Sequence, residues 1–152
     1  MSAQLKFFQS TAEEIVALIV GAITELGSLA EPERIDAINQ IKRALSEQSP
    51  FKGEPVDCVQ WVLADQVQAN DYNPNAVAPP EMELLRLSIV ADGYTQPIVA
   101  MKDGDKITVI DGFHRNRVGK ECADVRERVR GYLPVVEIRS DVRELKALQV
   151  AD

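Results

Sequence analysis

The sequence predicts a mixed α+β protein, a small sheet with flanking helices preceded by an N-terminal helical hairpin. Three observations carry that expectation. Residues 10–48 hold two apolar stripes at helical spacing. A breaker-rich connector follows at Phe51-Lys52-Gly53-Glu54-Pro55. Beyond it, short β-branched runs alternate with helical patterns, as they do where helices cover a sheet. The expected division is therefore 1–50 for the hairpin extension and 51–152 for the α+β domain.

Ser10-Thr11-Ala12-Glu13 has the spacing of a capping box, in which the serine oxygen and the glutamate each satisfy a helix-start amide. Ile15, Ile19, Ala22, Ile23 and Leu26 then recur at three- and four-residue steps as far as Gly27-Ser28. Pro32 suits the first turn of a second helix, where Ile35, Ile38, Ile41 and Leu45 form another stripe that ends at Ser49-Pro50. The stripes are expected to pack on the chain's own domain. The alternative is that they serve self-association or a protein partner.

After the connector, Val56 to Leu63 reads as a strand, followed by a loop with Asn70, Asp71, Asn73, Pro74 and Asn75. Pro79-Pro80 opens a helix from about Glu81 to Ala91 with Met82, Leu85 and Ile89 on one side, and Gly93 terminates it. Ile98 to Met101 and Ile107 to Ile110 are strands around a three-residue hairpin loop, Asp103-Gly104-Asp105. A helix from about Gly112 to Ala123, a strand from Leu133 to Ile138, and a last helix capped by Asp141 and holding Val142, Leu145, Leu148 and Gln149 complete the expectation.

At 152 residues the chain has room for one core plus a modest appendage, and 45% hydrophobic with 27% charged residues is the balance of a soluble globular protein. Ile15-Val16-Ala17-Leu18-Ile19-Val20 is too short to cross a bilayer and is flanked by Glu13, Glu14 and Glu25. The N-terminus lacks the pattern of a secretory signal, so the expected location is cytoplasmic. Cys58 and Cys122 stand alone, with neither a disulfide framework nor a zinc spacing, and are expected as reduced, partly buried thiols. A net charge of −7 excludes a protein whose whole surface grips DNA. Any nucleic-acid contact has to come from a local basic patch or from a partner.

The residues that carry chemistry are Asp111-Gly112-Phe113-His114-Arg115-Asn116-Arg117, where the second hairpin strand runs straight into a helix. Free amides of a helix's first turn, a favourable dipole, a glycine that admits a ligand to the backbone and guanidinium forks together make an anion site. The chain's single histidine falls within it. The plainer alternative is a surface turn whose arginines pair with Asp111 or Glu121.

Four segments, in order, resemble the N-terminal domain of the ParB/sulfiredoxin superfamily: Asn70-Asp71-Tyr72-Asn73-Pro74-Asn75, Leu84 to Ile89 with Gly93, Gln96-Pro97-Ile98-Val99, and Val109 to Arg117. The Asp-Gly-Phe-His-Arg wording and the helical extension before it are most similar to IbrB-like proteins, described as co-activators of prophage gene expression. The resemblance implies a ParB/sulfiredoxin-like fold for residues 51–152. It also implies a phosphate box at Gly112, His114, Arg115 and Arg117, bordered by Gly93, Gln96 and Pro97. The implied ligand is a nucleoside triphosphate, ATP or CTP, with magnesium. The implied function is a nucleotide-binding regulatory protein, a transcriptional co-activator of prophage or mobile-element genes. The alternative is a ParB-like nuclease or a nucleotide-dependent phosphotransfer or hydrolase enzyme with Asp111 and His114 as its acid/base pair. The chain departs from the pattern in three ways. Phe113 stands where sulfiredoxins carry cysteine and ParB proteins usually carry glutamate. A second phosphate box would fall near Asp152. No DNA-reading helix-turn-helix is expected within the residues after the domain. Without the cysteine nucleophile, the purified protein should show no sulfinic-acid reductase activity on an oxidised peroxiredoxin. Turnover that disappears in Cys122→Ser would overturn that expectation.

Overall fold

The computed structural model describes residues 11–69 and 79–138. The Asn70 to Asn75 segment, Ser10 and the helix expected after Asp141 lie outside the described residues. The chain divides into two compact units, Met1–Ile41 and Lys42–Asp152.

In the first unit, α1 spans Ala12–Ile23 and runs into a short 3-10 turn at Thr24–Ser28; α2, Glu31–Glu47, begins in this unit and continues into the second. The cap of α1 falls one residue later than the sequence suggests. Thr11, not Ser10, is the N-cap, and its Oγ1 accepts from the Glu14 N–H at 3.2 Å. Thr11 and Glu14 repeat the spacing of Ser10 and Glu13, so the motif was shifted rather than absent. Arg34 donates to the carbonyls of Gly27 and Leu29, satisfying the acceptors of the turn between the helices. Within its own unit, every described residue of α1 is exposed.

The second unit is the mixed α+β body. β1 (Gln60–Leu63), β2 (Val67–Gln68), β3 (Ile98–Asp103), β4 (Lys106–Asp111) and β5 (Tyr132–Ile138) form one sheet in the order β1-β5-β3-β4-β2. β1/β5 and β3/β4 are antiparallel, while β3/β5 and β2/β4 are parallel. Among the described residues, three helices accompany the sheet: α3 (Pro79–Asp92), α4 (Phe113–Glu121) and α5 (Ala123–Arg128).

Alternation on the strands builds the core. Ile98 and Ala100, Ile107 and Val109, and Leu133 and Val135 bury one face together with Ala64 and Val67, and Val62, Tyr94 and Phe113 pack against them. A second cluster joins the helices through Ile89, Val118 and Val125, with Met82, Leu85, Cys122 and again Tyr94 around it. Arg86 ties α3 to α5 by pairing with both Glu83 and Asp124.

Several boundaries differ from the sequence reading for identifiable reasons. Residues expected as the start of a strand at Val56 instead form a 3-10 turn, Pro55–Asp57, since proline fixes φ and offers no N–H to a ladder. The end of α2 holds the following chain through Lys42 to the Val59 carbonyl, Arg43 to Gln60 Oε1 and Ser46 to Asp57. The β3/β4 loop has two residues, because Asp103 pairs with Lys106, and Gly104 at φ +61° takes the first central position that demands a positive φ. The single helix expected from Gly112 to Ala123 is two, broken at Cys122, whose φ of −87° and ψ of 114° are extended.

Gly119 shows how tightly the helical layer meets the sheet. A Cβ there would overlap both the Tyr94 hydroxyl and Leu133 Cδ2, and Leu133 is fully buried. Gly119→Ala gains about 1 kcal/mol of helix propensity but costs about 1 to 3 kcal/mol in overpacking. We expect a net loss of up to ~2 kcal/mol, read as a lower urea midpoint with an unchanged slope.

Candidate functional site

β4 and α4 meet at the residues singled out in the sequence. The register of β3 against β4 shifts between Val99/Asp111 and Ala100/Val109, so a bulge lies immediately before the junction, with Asp111 still paired to Val99. Gly112 is the N-cap of α4 at φ +90° and ψ 31°, in the left-handed region where a side chain is strained. Its N–H donates to Asp111 Oδ1 at 2.8 Å. Among the described residues no side chain caps α4, no acid lies in its first turn, and its first ladder bond runs from the Asn116 N–H to the Gly112 carbonyl. The amides of Phe113, His114 and Arg115 therefore stand before the start of the helical ladder, at the positive end of the helix dipole.

Arg115 folds back over this opening. Its Nη2 lies 2.9 Å from the point where a Gly112 Cβ would sit. Nη1 donates to Gln96 Oε1 at 3.2 Å and Nη2 to the Pro97 carbonyl at 3.3 Å. Tyr94 fixes the same residue from its backbone, its hydroxyl donating to the Arg115 carbonyl at 2.8 Å. Two buried polar atoms here have no partner among the described residues: Arg115 Nε and Asn116 Oδ1. Such atoms cost about 1 to 3 kcal/mol each when left unmade.

The structure thus brings together Gln96, Pro97, Gly112 and Arg115 from the expected set. His114 is half-buried on the first turn, next to Arg115. Gly93 serves a neighbouring corner: at φ +80° it ends α3, its N–H donating to the Ile89 carbonyl, and the guanidinium over it belongs to Arg128. Arg128 also donates to the Val90 carbonyl at 3.0 Å. Arg117 is exposed and pairs with Glu121 at 2.9 Å. Asp111 is exposed, and its carboxylate is engaged by the Gly112 amide. Phe113 packs against the sheet core.

Sequence reasoning missed Tyr94 and Arg128, and quoted Asn116 in the motif without giving it a role. Tyr94 sits inside the Gly93 to Pro97 turn and Asn116 between two quoted arginines, so proximity in sequence was the available signal. Arg128 gave none, because its place over Gly93 depends on the break at Cys122.

No family model matches the chain. It is 53% identical over 111 residues to the "Uncharacterized protein YbdM" of Escherichia coli (strain K12), a match that covers 72% of this chain and 53% of that protein. The chain thus spans about half the length of the curated relative it matches. Among solved structures it is similar to the C-terminally truncated chromosome-partitioning protein ParB from Caulobacter crescentus complexed with CTP-gamma-S. The TM-score is 0.43 at 19% identity, over 53% of this chain and 44% of that one. It is also similar to SbnI with a C-terminal truncation from Staphylococcus aureus, with a TM-score of 0.43 at 22% identity, over 59% of this chain and 34% of that one. No helix among the described residues is long and apolar enough to cross a membrane.

Burial pushes the Tyr94 hydroxyl up from 10.0 to about 12, with the neighbouring Cys122 acting in the same direction and Arg115 opposing. The folded chain therefore keeps a proton on Tyr94 that the unfolded chain releases, and stability present below pH 10 is lost as pH rises toward about 12. Unfolding midpoints of the wild type should fall more steeply across that window than those of Tyr94→Phe. At neutral pH the variant should be less stable by about 1 kcal/mol, the worth of the bond to the Arg115 carbonyl. Parallel slopes would mean that Tyr94 is not the titrating group.

Proposed function

We propose that the chain is a nucleotide-binding regulatory protein whose β4/α4 junction takes the phosphates of a nucleoside triphosphate. The observation that carries the reading is an uncapped helix start on a left-handed glycine with an arginine folded across it. An anion placed there meets amides that no side chain occupies, a helix dipole of favourable sign and the remaining N–H donors of a guanidinium already held by Gln96 and Pro97. The unpartnered Arg115 Nε and Asn116 Oδ1 leave a donor and an acceptor beside the junction. These residues fit the group that the sequence resemblance implies.

Gly112, His114 and Arg115 would hold the phosphates, with Gln96 and Pro97 setting the guanidinium. Arg117, paired with Glu121, would add an outer contact, and Gly93 would shape the adjoining turn. Asp111 is the acid of the junction, so a cation is needed between it and a phosphate. Magnesium, held by phosphate oxygens and water as that ion commonly is, would supply the compensating charge. Catalysis by Asp111 and His114 would require the Asp111 carboxylate to leave the Gly112 amide, so binding is the activity favoured here. ATP or CTP are the candidate nucleotides. Gene regulation, as in the co-activators that the sequence resembles, would follow from a nucleotide-dependent contact with a protein or DNA partner in the cytoplasm.

Titration calorimetry with ATP, ADP, CTP and GTP in the presence of magnesium tests the reading. A charge-assisted guanidinium contact is worth about 1.5 to 3 kcal/mol, so Arg115→Ala should weaken affinity by about one to two powers of ten. Arg117→Ala should lose less, because its guanidinium already has Glu121 as a partner. Circular dichroism confirms that each variant is folded. No nucleotide affinity in the wild type, or equal affinity in Arg115→Ala, would end the assignment.

A further inference from the structure

Asn116 is 3% exposed, and its Oδ1 has no hydrogen-bond partner among the described residues. Its backbone N–H donates to the Gly112 carbonyl, which puts it one turn along α4 from the N-cap. Helical side chains lean toward the N-terminus, over the residues three and four before them. The amide is therefore directed along the face that ends at Phe113, packed on the sheet core, and at Gly112, which has no side chain to block it. Arg115 lies over Gly112, and its Nε is likewise buried and without a partner among the described residues. Nothing among those residues accounts for an asparagine at this position. It is a poorer helix former than alanine, and a buried acceptor left unmade lowers stability, so an apolar residue would serve both α4 and the core better.

We propose that Asn116 is a ligand contact of the junction, its Oδ1 accepting a hydrogen bond from an O–H that the bound nucleotide brings. The proposal rests on the phosphate reading of the same junction and adds a second kind of contact to it. A side-chain carbonyl oxygen repels phosphate oxygens and takes only a donor. The amides ahead of α4 and the Arg115 guanidinium are donors, suited to phosphate and unable to receive an O–H. Asp111 is exposed, and its carboxylate already receives the Gly112 amide. Asn116 thus supplies a buried acceptor, where the lack of a ligand donor is felt most strongly. Two parts of a nucleotide with magnesium carry such an O–H: the ribose, and the water on the ion.

The experiment measures affinity and stability of the full chain for the wild type, Asn116→Ala and Asn116→Val, two variants that lack the acceptor and differ in volume. The ligand is ATP or CTP, whichever the wild type binds more tightly. It is given with magnesium, as its 2′-deoxy and 3′-deoxy forms with magnesium, and without magnesium. In the absence of ligand, Asn116→Ala should have a urea midpoint no lower than that of the wild type. With the complete ligand, both variants should bind about tenfold more weakly, which is about 1.4 kcal/mol. That gap should close with the form of the ligand that lacks the O–H: a deoxy form if the ribose supplies it, the magnesium-free form if water on the ion does. Equal affinities, a gap of the same size with every form, or a loss in only one variant would overturn the proposal while leaving phosphate binding standing. So would a lower midpoint of unliganded Asn116→Ala, the mark of a purely structural role. A wild type that binds no nucleotide ends both readings.

Discussion

Tyr94 is the point on which the α+β body turns. Its ring belongs to both apolar clusters, the one on the sheet and the one among the helices, and its hydroxyl donates to the Arg115 carbonyl in the first turn of α4. Large rings contribute heavily to cores, and a buried phenol needs a partner for its O–H. Here a backbone carbonyl supplies that partner, so the same side chain that closes the core also fixes where α4 begins. Gly119, one turn further along the same face of α4, keeps the space that the ring and Leu133 occupy. The layer spacing and the placement of the β4/α4 junction are thus set by one contact.

A junction built this way is prepared before any ligand arrives. Arg115 does not wait in solvent: Gln96 and the Pro97 carbonyl hold its guanidinium over Gly112. Restricting a long side chain in advance removes entropy that binding would otherwise cost. The loop that supplies those acceptors is itself short, lying between the glycine that ends α3 and the first residue of β3. The site therefore draws its geometry from the ends of α3, β3 and β4 rather than from a long loop.

The readable part of the fold was the part written in local chemistry. Gly93, Gly104 and Gly112 each stand at a positive φ, and each had been placed at a turn or element end because glycine tolerates it. The β-branched runs at Ile98 to Met101, Ile107 to Ile110 and Leu133 to Ile138 were read as strands, and their buried residues supply the sheet core. The two-residue strand β2 was not legible, since Val67 and Gln68 are too few for a period and pair only through β4. The break at Cys122 was also invisible, because neither glycine nor proline marks it. It follows from tertiary packing of Val118 and Val125 with Ile89. At the site, the motif put Gly112 and Arg115 side by side, and its plainer alternative, arginines paired with Glu121, holds for Arg117, but no local signal told that Gly93 would lie under Arg128.

A chain with a net charge of −7 has to concentrate its attraction for an anion, and the distribution of its cations shows where that is feasible. Residues 114–130 are rich in arginine and lysine, but most of that charge is committed within the fold. Arg117 pairs with Glu121, and Arg126 with Asp65. Arg128 holds the end of α3 through the Val90 carbonyl, and Lys120 donates to the Val67 carbonyl, where burial pulls its ammonium below the usual lysine range. Among the described residues of this stretch, cations spent on carboxylates and carbonyls are not free for a duplex, whose binding depends on many phosphate contacts at once. A single polyphosphate makes smaller demands. Three amides ahead of the helical ladder, a dipole and one preset guanidinium suffice within a few ångströms, inside the distance over which salt screens the surrounding negative charge. The same charge balance that argues against a DNA grip by this face is therefore compatible with a nucleotide at Gly112 and Arg115.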